Sequence, residues 1–284
     1  MLGSLVIVYP TPHQGGELVL RHKDCEWTVD ANTLNFSQPS PSIAYVAFYS
    51  DIEHEVLKVS SGCRVTLTYN LYLVDPTPSA QVPSVVPNLR DISNLQSTLH
   101  KLLSSPEFLP EGGTLGFGLA HLYPITLKTE LQDMTKYLKG EDAHVYRACQ
   151  ELQLHPSLRM VYDASEDVLV EEERRIDHQA RGVMFETIVE LPNYDYVNTS
   201  YREHLIKRLG GVPINSDNNN LARESMWVKQ FEVQRWEQIT WVTPFGKGDC
   251  LRDVGMAYGN ETSVEYIYCS PCLIVPIAPA SDRT

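Results

Sequence analysis

A few residues in this chain have types and spacings that could do chemistry. His54 opens one strand-like run and Arg64 opens the next. An arginine at the head of an uncharged strand, sharing its face with Thr66 and Thr68, needs a carboxylate if it points inward, because a buried unpaired charge is costly. A planar guanidinium holds a carboxylate through two parallel hydrogen bonds, and that carboxylate can come from the protein or from a ligand. His54 by itself reads first as a satisfied polar residue before a strand and second as a metal ligand. His22-Lys23-Asp24 is a literal H-x-D, and a strand would place both outer side chains on one face. His13, in a proline-rich loop, is a weaker ligand candidate. Cys269-Ser270-Pro271-Cys272 is a C-x-x-C with no second pair to complete a structural zinc site. It lies in the apolar run Tyr266–Ile277, so packing is the expected role, with redox or metal use second.

The elements that must position these residues are short strands. Ala44–Ser50 is apolar and aromatic, as suits a pleated surface. Glu53–Val59 follows, and Ser60-Ser61-Gly62 reads as a turn. Cys63–Leu73 alternates: Val65, Leu67, Tyr69, Leu71 and Leu73 on one face, Arg64, Thr66, Thr68, Asn70 and Tyr72 on the other. Upstream, Leu2–Tyr9 and Glu17–Arg21 read as strands separated by the loop Pro10–Gly16. Trp27–Val29 reads as a short return strand, and Asn32–Ser42 as a loop. Residues 1–74 are therefore nearly all β, in the manner of a sandwich or jelly roll.

Residues 75–87, with four prolines, form the expected linker. Residues 88–284 read as a second, mixed α/β region. Helices are expected over Asn88–Leu103, Thr126–Leu138, Glu141–Leu152, Ser165–Asp177 and Tyr201–Leu209. Strands are expected over Thr114–Tyr123, Ser157–Tyr162, Val183–Leu191, Val228–Thr243 and Tyr258–Ile277. The pattern lacks the regular alternation of a doubly wound parallel sheet, so the fold class is α+β.

The net charge of -13, with 23 Lys and Arg against 36 Asp and Glu, argues against a nucleic-acid surface. The run Glu171–Arg175 is mixed in sign and reads as a solvated helix face. Neither a basic leader nor an apolar run long enough to span a membrane is evident. An intracellular setting, cytoplasmic or nuclear, is therefore expected. The sequons at Asn35, Asn198 and Asn260 are then chance matches, and the six cysteines do not suggest a disulfide framework.

The segment FYSDIEHEVLKVSSGCRVTLTYNLY (residues 48–72) resembles the C-terminal strands of the iron- and 2-oxoglutarate-dependent dioxygenases, in the prolyl 4-hydroxylase-like branch. LGSLVIVYPTPHQGGELVLRH (residues 2–22) resembles the strands before them, including the Gly-Gly-x-Leu step. LKGEDAHVY and AYGNETSVEYIYCS resemble later parts of such a two-part family. The resemblance implies a double-stranded β-helix, here partial, and an iron held by two histidines and a carboxylate. It puts His54 in the place of the distal iron ligand and Arg64 in the place of the arginine that grips the distal carboxylate of 2-oxoglutarate. The family's H-x-D strand would fall before Met1, so one of three iron ligands is matched. His22-x-Asp24 falls after the Gly-Gly-x-Leu strand, off the ligand strand.

Two functions follow as expectations. One is an Fe(II)/2-oxoglutarate-dependent oxidoreductase hydroxylating a protein or peptide side chain. The other is a non-catalytic binding or scaffold protein on a degenerate double-stranded β-helix. The expected cofactors are Fe(II) and 2-oxoglutarate, and no nucleic-acid or membrane partner is expected.

Overall fold

The computed structural model describes residues 2–36, 40, 42–72, 89–123, 125–163, 182–189, 201–215, 237–245, 250–254 and 264–283. The chain divides into two compact units, Met1–Val85 and Val86–Thr284. The expected linker and the helix expected over Ser165–Asp177 lie outside the described residues. Secondary structure is mixed α+β throughout.

The first unit holds β1 (Gly3–Val8), β2 (His13–Gly15), β3 (Leu18–His22), β4 (Cys25–Val29), β5 (Ala44–Tyr49), β6 (Glu53–Val56), β7 (Val59–Gly62) and β8 (Thr66–Leu71). β1 is the centre of one three-stranded sheet, ordered β5-β1-β8. β3 is the centre of another, ordered β4-β3-β6, and β2 pairs with β7. The pairings are antiparallel. The chain therefore shuttles between the sheets and returns each time to flank a strand already laid down. Val6, Val8 and Ala31 form the small buried cluster of this unit, with Ala44 and Phe48 packed on it.

Three local readings are corrected here. The loop expected over Asn32–Ser42 begins with helix α1 (Ala31–Asn35). Asp30 caps it, accepting from the backbone N–H groups of Asn32 at 2.9 Å and Thr33 at 3.2 Å, which satisfies donors that a helix start leaves orphaned. The loop expected over Pro10–Gly16 contains β2, and the turn expected at Ser60–Gly62 is strand β7. The two supply each other's backbone partners, pairing His13 with Gly62. Asn35 is fully buried and its amide donates to the Tyr9 carbonyl at 3.0 Å, so this sequon presents no free amide.

The second unit is built on β9 (Gly113–Gly118), β10 (Ser157–Asp163), β11 (Gly182–Phe185), β12 (Val212–Asn215), β13 (Glu237–Gln238), β14 (Thr240–Thr243), β15 (Cys250–Val254) and β16 (Val264–Ile277). The sheet runs β13-β12-β11-β10-β16-β9-β14, with β15 paired to β16 alone. β13 and β14 are at opposite ends of that order, yet only Ile239 separates them in sequence. The sheet must curl until its ends meet, giving a nearly closed barrel. One run, Glu237–Thr243, pairs in parallel with β12 through its first residues and with β9 through its last. Period-two alternation then sends one set of side chains inward: Val161, Met184, Ile214, Ile239, Cys272 and Ile274 form a buried cluster. Gly116 admits this run, since a Cβ there would lie 2.6 Å from both Ile239 Cγ2 and Trp241 Cε3.

The opposite face of the sheet, with Leu115, Phe117, Leu158, Met160, Tyr162 and Leu273, packs under the helices. These are α2 (Leu89–Leu103), α3 (Leu131–Met134), α4 (Gly140–Glu151) and α5 (Tyr201–Glu203), the last continuing as a π-helical turn over His204–Arg208. The long helix expected over Thr126–Leu138 is corrected to α3 plus one 3-10 turn, Thr135–Tyr137. Thr126 and Thr129 bond to each other's backbone and side chains, and this local alternative competes with helix formation. No helix among the described residues is long and apolar enough to cross a membrane.

Candidate functional site

His54 is positioned by pairing with Leu20 in the β3–β6 ladder. Arg21 marks the outer face of that sheet, where it bridges Glu26 at 2.7 Å and Glu55 at 3.2 Å. His54 follows the other parity, with Leu20, and faces the first sheet. Its ring lies 4.9 Å from that of Phe48, which packs on the buried cluster of β1. The Nδ1 atom bonds the Ile52 carbonyl at 3.2 Å. A carbonyl only accepts, so Nδ1 is the donor, and in the neutral ring this bond puts the lone pair on Nε2, the form in which histidine binds a metal.

Arg64 stands before β8, in line with Thr66 and Thr68, which pair with the buried Val8 and Val6. Arg64 thus belongs to the inner parity of its sheet. Its stem passes over Gly16, where a Cβ would lie 2.8 Å from Arg64 Cδ and 2.9 Å from Val59 Cγ2. Gly16 has φ +76°, so both its backbone conformation and the space above it call for glycine. The Nε atom of Arg64 is buried without a hydrogen-bond partner among the described residues. Burial of the guanidinium, with no carboxylate to offset it, lowers its pKa from the ordinary arginine value.

His54 and Arg64 thus stand on different strands of the same unit, His54 exposed and Arg64 half-buried. His54 belongs to no set of three histidine, cysteine or carboxylate ligands within 4.8 Å of one another, among the described residues. His22 and Asp24 do not share a strand face. His22 ends β3 and pairs with Cys25, so Lys23 and Asp24 form a two-residue hairpin turn, with Lys23 at φ +53°. The carboxylate near His22 is Asp51, whose ligand atom lies within 4.8 Å of the imidazole. His13 is buried on β2, with Nδ1 bonded to the Thr11 carbonyl at 2.6 Å.

At the C-x-x-C, extended backbone runs unbroken through 269 and 272, paired to Tyr162 and Arg159 of β10, where a zinc knuckle would need a turn. Cys272 is completely buried, and burial pushes its thiol far above the usual range.

Sequence reasoning did not single out the neighbours that shape the site. Phe48 lay inside an apolar run, and Gly16 read as a turn glycine. It also missed a buried polar knot in the second unit. Asp142, in the first turn of α4, accepts from the backbone N–H groups of Ala120 at 2.7 Å and His121 at 3.1 Å, and from the Tyr123 hydroxyl at 2.8 Å. Tyr123 Oη accepts in turn from the Lys139 backbone N–H at 2.9 Å, and Lys139 Nζ donates to the Leu122 carbonyl at 2.8 Å. These bonds tie the 120–123 segment to the start of α4.

No protein-family model matches the chain, and no match was found among curated proteins or among solved structures.

Proposed function

We propose that the first unit is a double-stranded β-helix of the iron- and 2-oxoglutarate-dependent oxygenase kind, prolyl 4-hydroxylase-like, with Arg64 as the co-substrate clamp and His54 as a metal ligand. The observation that carries this reading is the unpartnered, buried Nε of Arg64 behind Gly16. Evolution of a folded core does not leave such a group unpaired without cost, and a ligand carboxylate would satisfy it. Two further features support it. The winding, with β1 and β3 each flanked by strands from later in the chain, supports the jelly-roll reading. The His54 tautomer leaves Nε2 free for a metal.

The residues fit the two groups unequally. Arg64 suits a dicarboxylate such as 2-oxoglutarate. His54 alone does not suit catalytic iron, whose selective binding depends on a complete ligand set. In this family, bound iron supplies oxidation of an unactivated C–H bond on a protein or peptide side chain. The part of this chain in that chemistry is to orient the co-substrate with Arg64.

Titration of the purified full chain with 2-oxoglutarate, with and without Fe(II), tests the reading. Saturable binding that weakens in Arg64→Lys and is lost in Arg64→Met supports the clamp. Fe(II)-stimulated succinate formation that vanishes in His54→Ala supports the oxygenase. Absence of both 2-oxoglutarate binding and succinate overturns the reading.

A second reading is favoured by the absence of His54 from any three-ligand set among the described residues. It is a non-catalytic binding protein on the same scaffold. It predicts 2-oxoglutarate binding indifferent to Fe(II) and no succinate.

A further inference from the structure

The near-closure of the second unit's sheet creates a mouth that the sequence motifs do not touch. The strands there meet at one end: the starts of β9, β10, β12 and β13 and the finishes of β11 and β16. A cavity of about 340 Å³ opens at that end. Its base is apolar, formed by Met184 and Ile274, both buried in the barrel's inner cluster. Its rim carries Arg159, Glu186, Glu237 and Thr114. All four follow the inward parity of their strands. Mouths of barrels with an apolar floor and a few convergent polar groups are common ligand sites.

The charges are disposed across the mouth. Around the ring the order is β12, β11, β10, β16, β9 and the Glu237–Thr243 run. β10 and that run are therefore on opposite walls, whichever way one counts. Arg159 stands on one wall and Glu237 on the other. Arg159 Nη1 meets Glu186 Oε1 at 3.0 Å, but the Glu186 side chain is 80% exposed against 25% for Arg159. Such a solvent-facing pair is weak and exchangeable. The rest of the guanidinium fork has no partner among the described residues, so it can take a second carboxylate in bidentate fashion. Across the mouth, Glu237 Oε1 accepts from Thr114 Oγ1 at 3.3 Å. This contact fixes the carboxylate and leaves Oε2 without a partner among the described residues. Beside them His155 holds φ +51°, an uncommon backbone state for a residue other than glycine.

We propose that this mouth binds a small zwitterionic amino acid, with its carboxylate on Arg159, its ammonium on Glu237 and its carbon chain over Met184 and Ile274. An anion alone would meet two carboxylates, and an amine alone would meet the guanidinium. A molecule bearing both charges satisfies both walls. The separation of the two charges decides between an α-amino acid and an ω-amino acid.

The test is calorimetric titration of the full chain with each of the twenty standard α-amino acids, β-alanine and 4-aminobutyrate. n-Butylamine and butyrate serve as single-charge controls. The expected result is saturable binding of at least one zwitterion and of neither control. Arg159→Met and Glu237→Gln should each weaken it at least about tenfold, while Glu186→Gln, which frees the guanidinium, should not weaken it. Far-UV circular dichroism of each variant checks folding. If Arg159→Met does not fold, Arg159→Lys, which keeps the charge and loses the fork, decides instead. The proposal is overturned if no zwitterion binds at about 10 mM, if the controls bind equally well, or if binding survives both wall substitutions.

Discussion

Gly16 and Arg64 occupy one volume: the space a side chain would need at Gly16 is filled by the arginine stem, at 2.8 Å from Cδ. Gly16→Ala should therefore destabilise the first unit by about 1–2 kcal/mol from the left-handed backbone alone, with a steric cost added. Arg64→Ala removes the arginine's share of the steric cost and leaves the contact with Val59 Cγ2 at 2.9 Å and the backbone part. Urea unfolding of both single variants and the double variant should thus give a double-variant loss smaller than the sum. Additive losses would show that the two residues do not compete for this space.

Asp142 should resist isosteric replacement. Asparagine offers one acceptor oxygen where the carboxylate uses two, and its NH₂ would face an N–H donor. Asp142→Asn should cost about 2–3 kcal/mol in equilibrium unfolding. Burial is the largest influence on this carboxyl and raises its pKa, against the backbone bonds from Ala120 and His121 and the Tyr123 hydroxyl, which lower it. A carboxyl raised in the folded state binds its proton more readily there than in the unfolded chain. Its contribution to stability is thus full at acid pH and is lost as pH rises from the ordinary aspartate range through the folded value. The asparagine variant should lack that slope.

Among the described residues, Arg283 clasps the C-terminal end of the second unit through backbone carbonyls. It donates to Ala278 at 2.7 Å, to Phe108 at 2.7 Å and to the Leu103 and Leu109 carbonyls. A lysine cannot reproduce this fork. Arg283→Lys should lose nearly as much stability as Arg283→Ala, about 1–3 kcal/mol, read from urea midpoints. A lysine variant as stable as the parent would show that charge, not geometry, matters.

Thiol reactivity should divide the cysteines by burial. Cys25 and Cys63 are exposed, whereas burial pushes Cys149 up to about 11 and Cys272 higher still. Since the thiolate is the nucleophile, an aromatic disulfide reagent followed by peptide mapping should label Cys25 and Cys63 in the native protein. Cys149 and Cys272 should react only after denaturation.

What was legible in the sequence was local and periodic. Strand parity placed Arg64 with Thr66 and Thr68, and the register keeps that grouping. The same parity misleads if apolar residues are sent inward by default. Thr66 and Thr68 pair with buried Val8 and Val6, while Leu67 and Tyr69 are exposed. The H-x-D at His22 failed because composition cannot tell a strand from the hairpin that ends it. Arg159, Glu186 and Glu237 drew no notice because each is an ordinary surface charge until the sheet curls. That curling depends on Glu237–Thr243 pairing with strands far away in sequence, which no window of neighbouring residues records.

The position of β16 bears on how the protein is made. This strand lies between β9 and β10 and pairs with both, joining Val275 to Leu115 and Leu158 to Leu273. It is also the last of the sheet's strands to leave the ribosome. Until it emerges, β9 and β10 have no common neighbour, and their apolar faces wait in the nascent chain. Vectorial synthesis therefore lets the first unit fold before the second can complete its sheet.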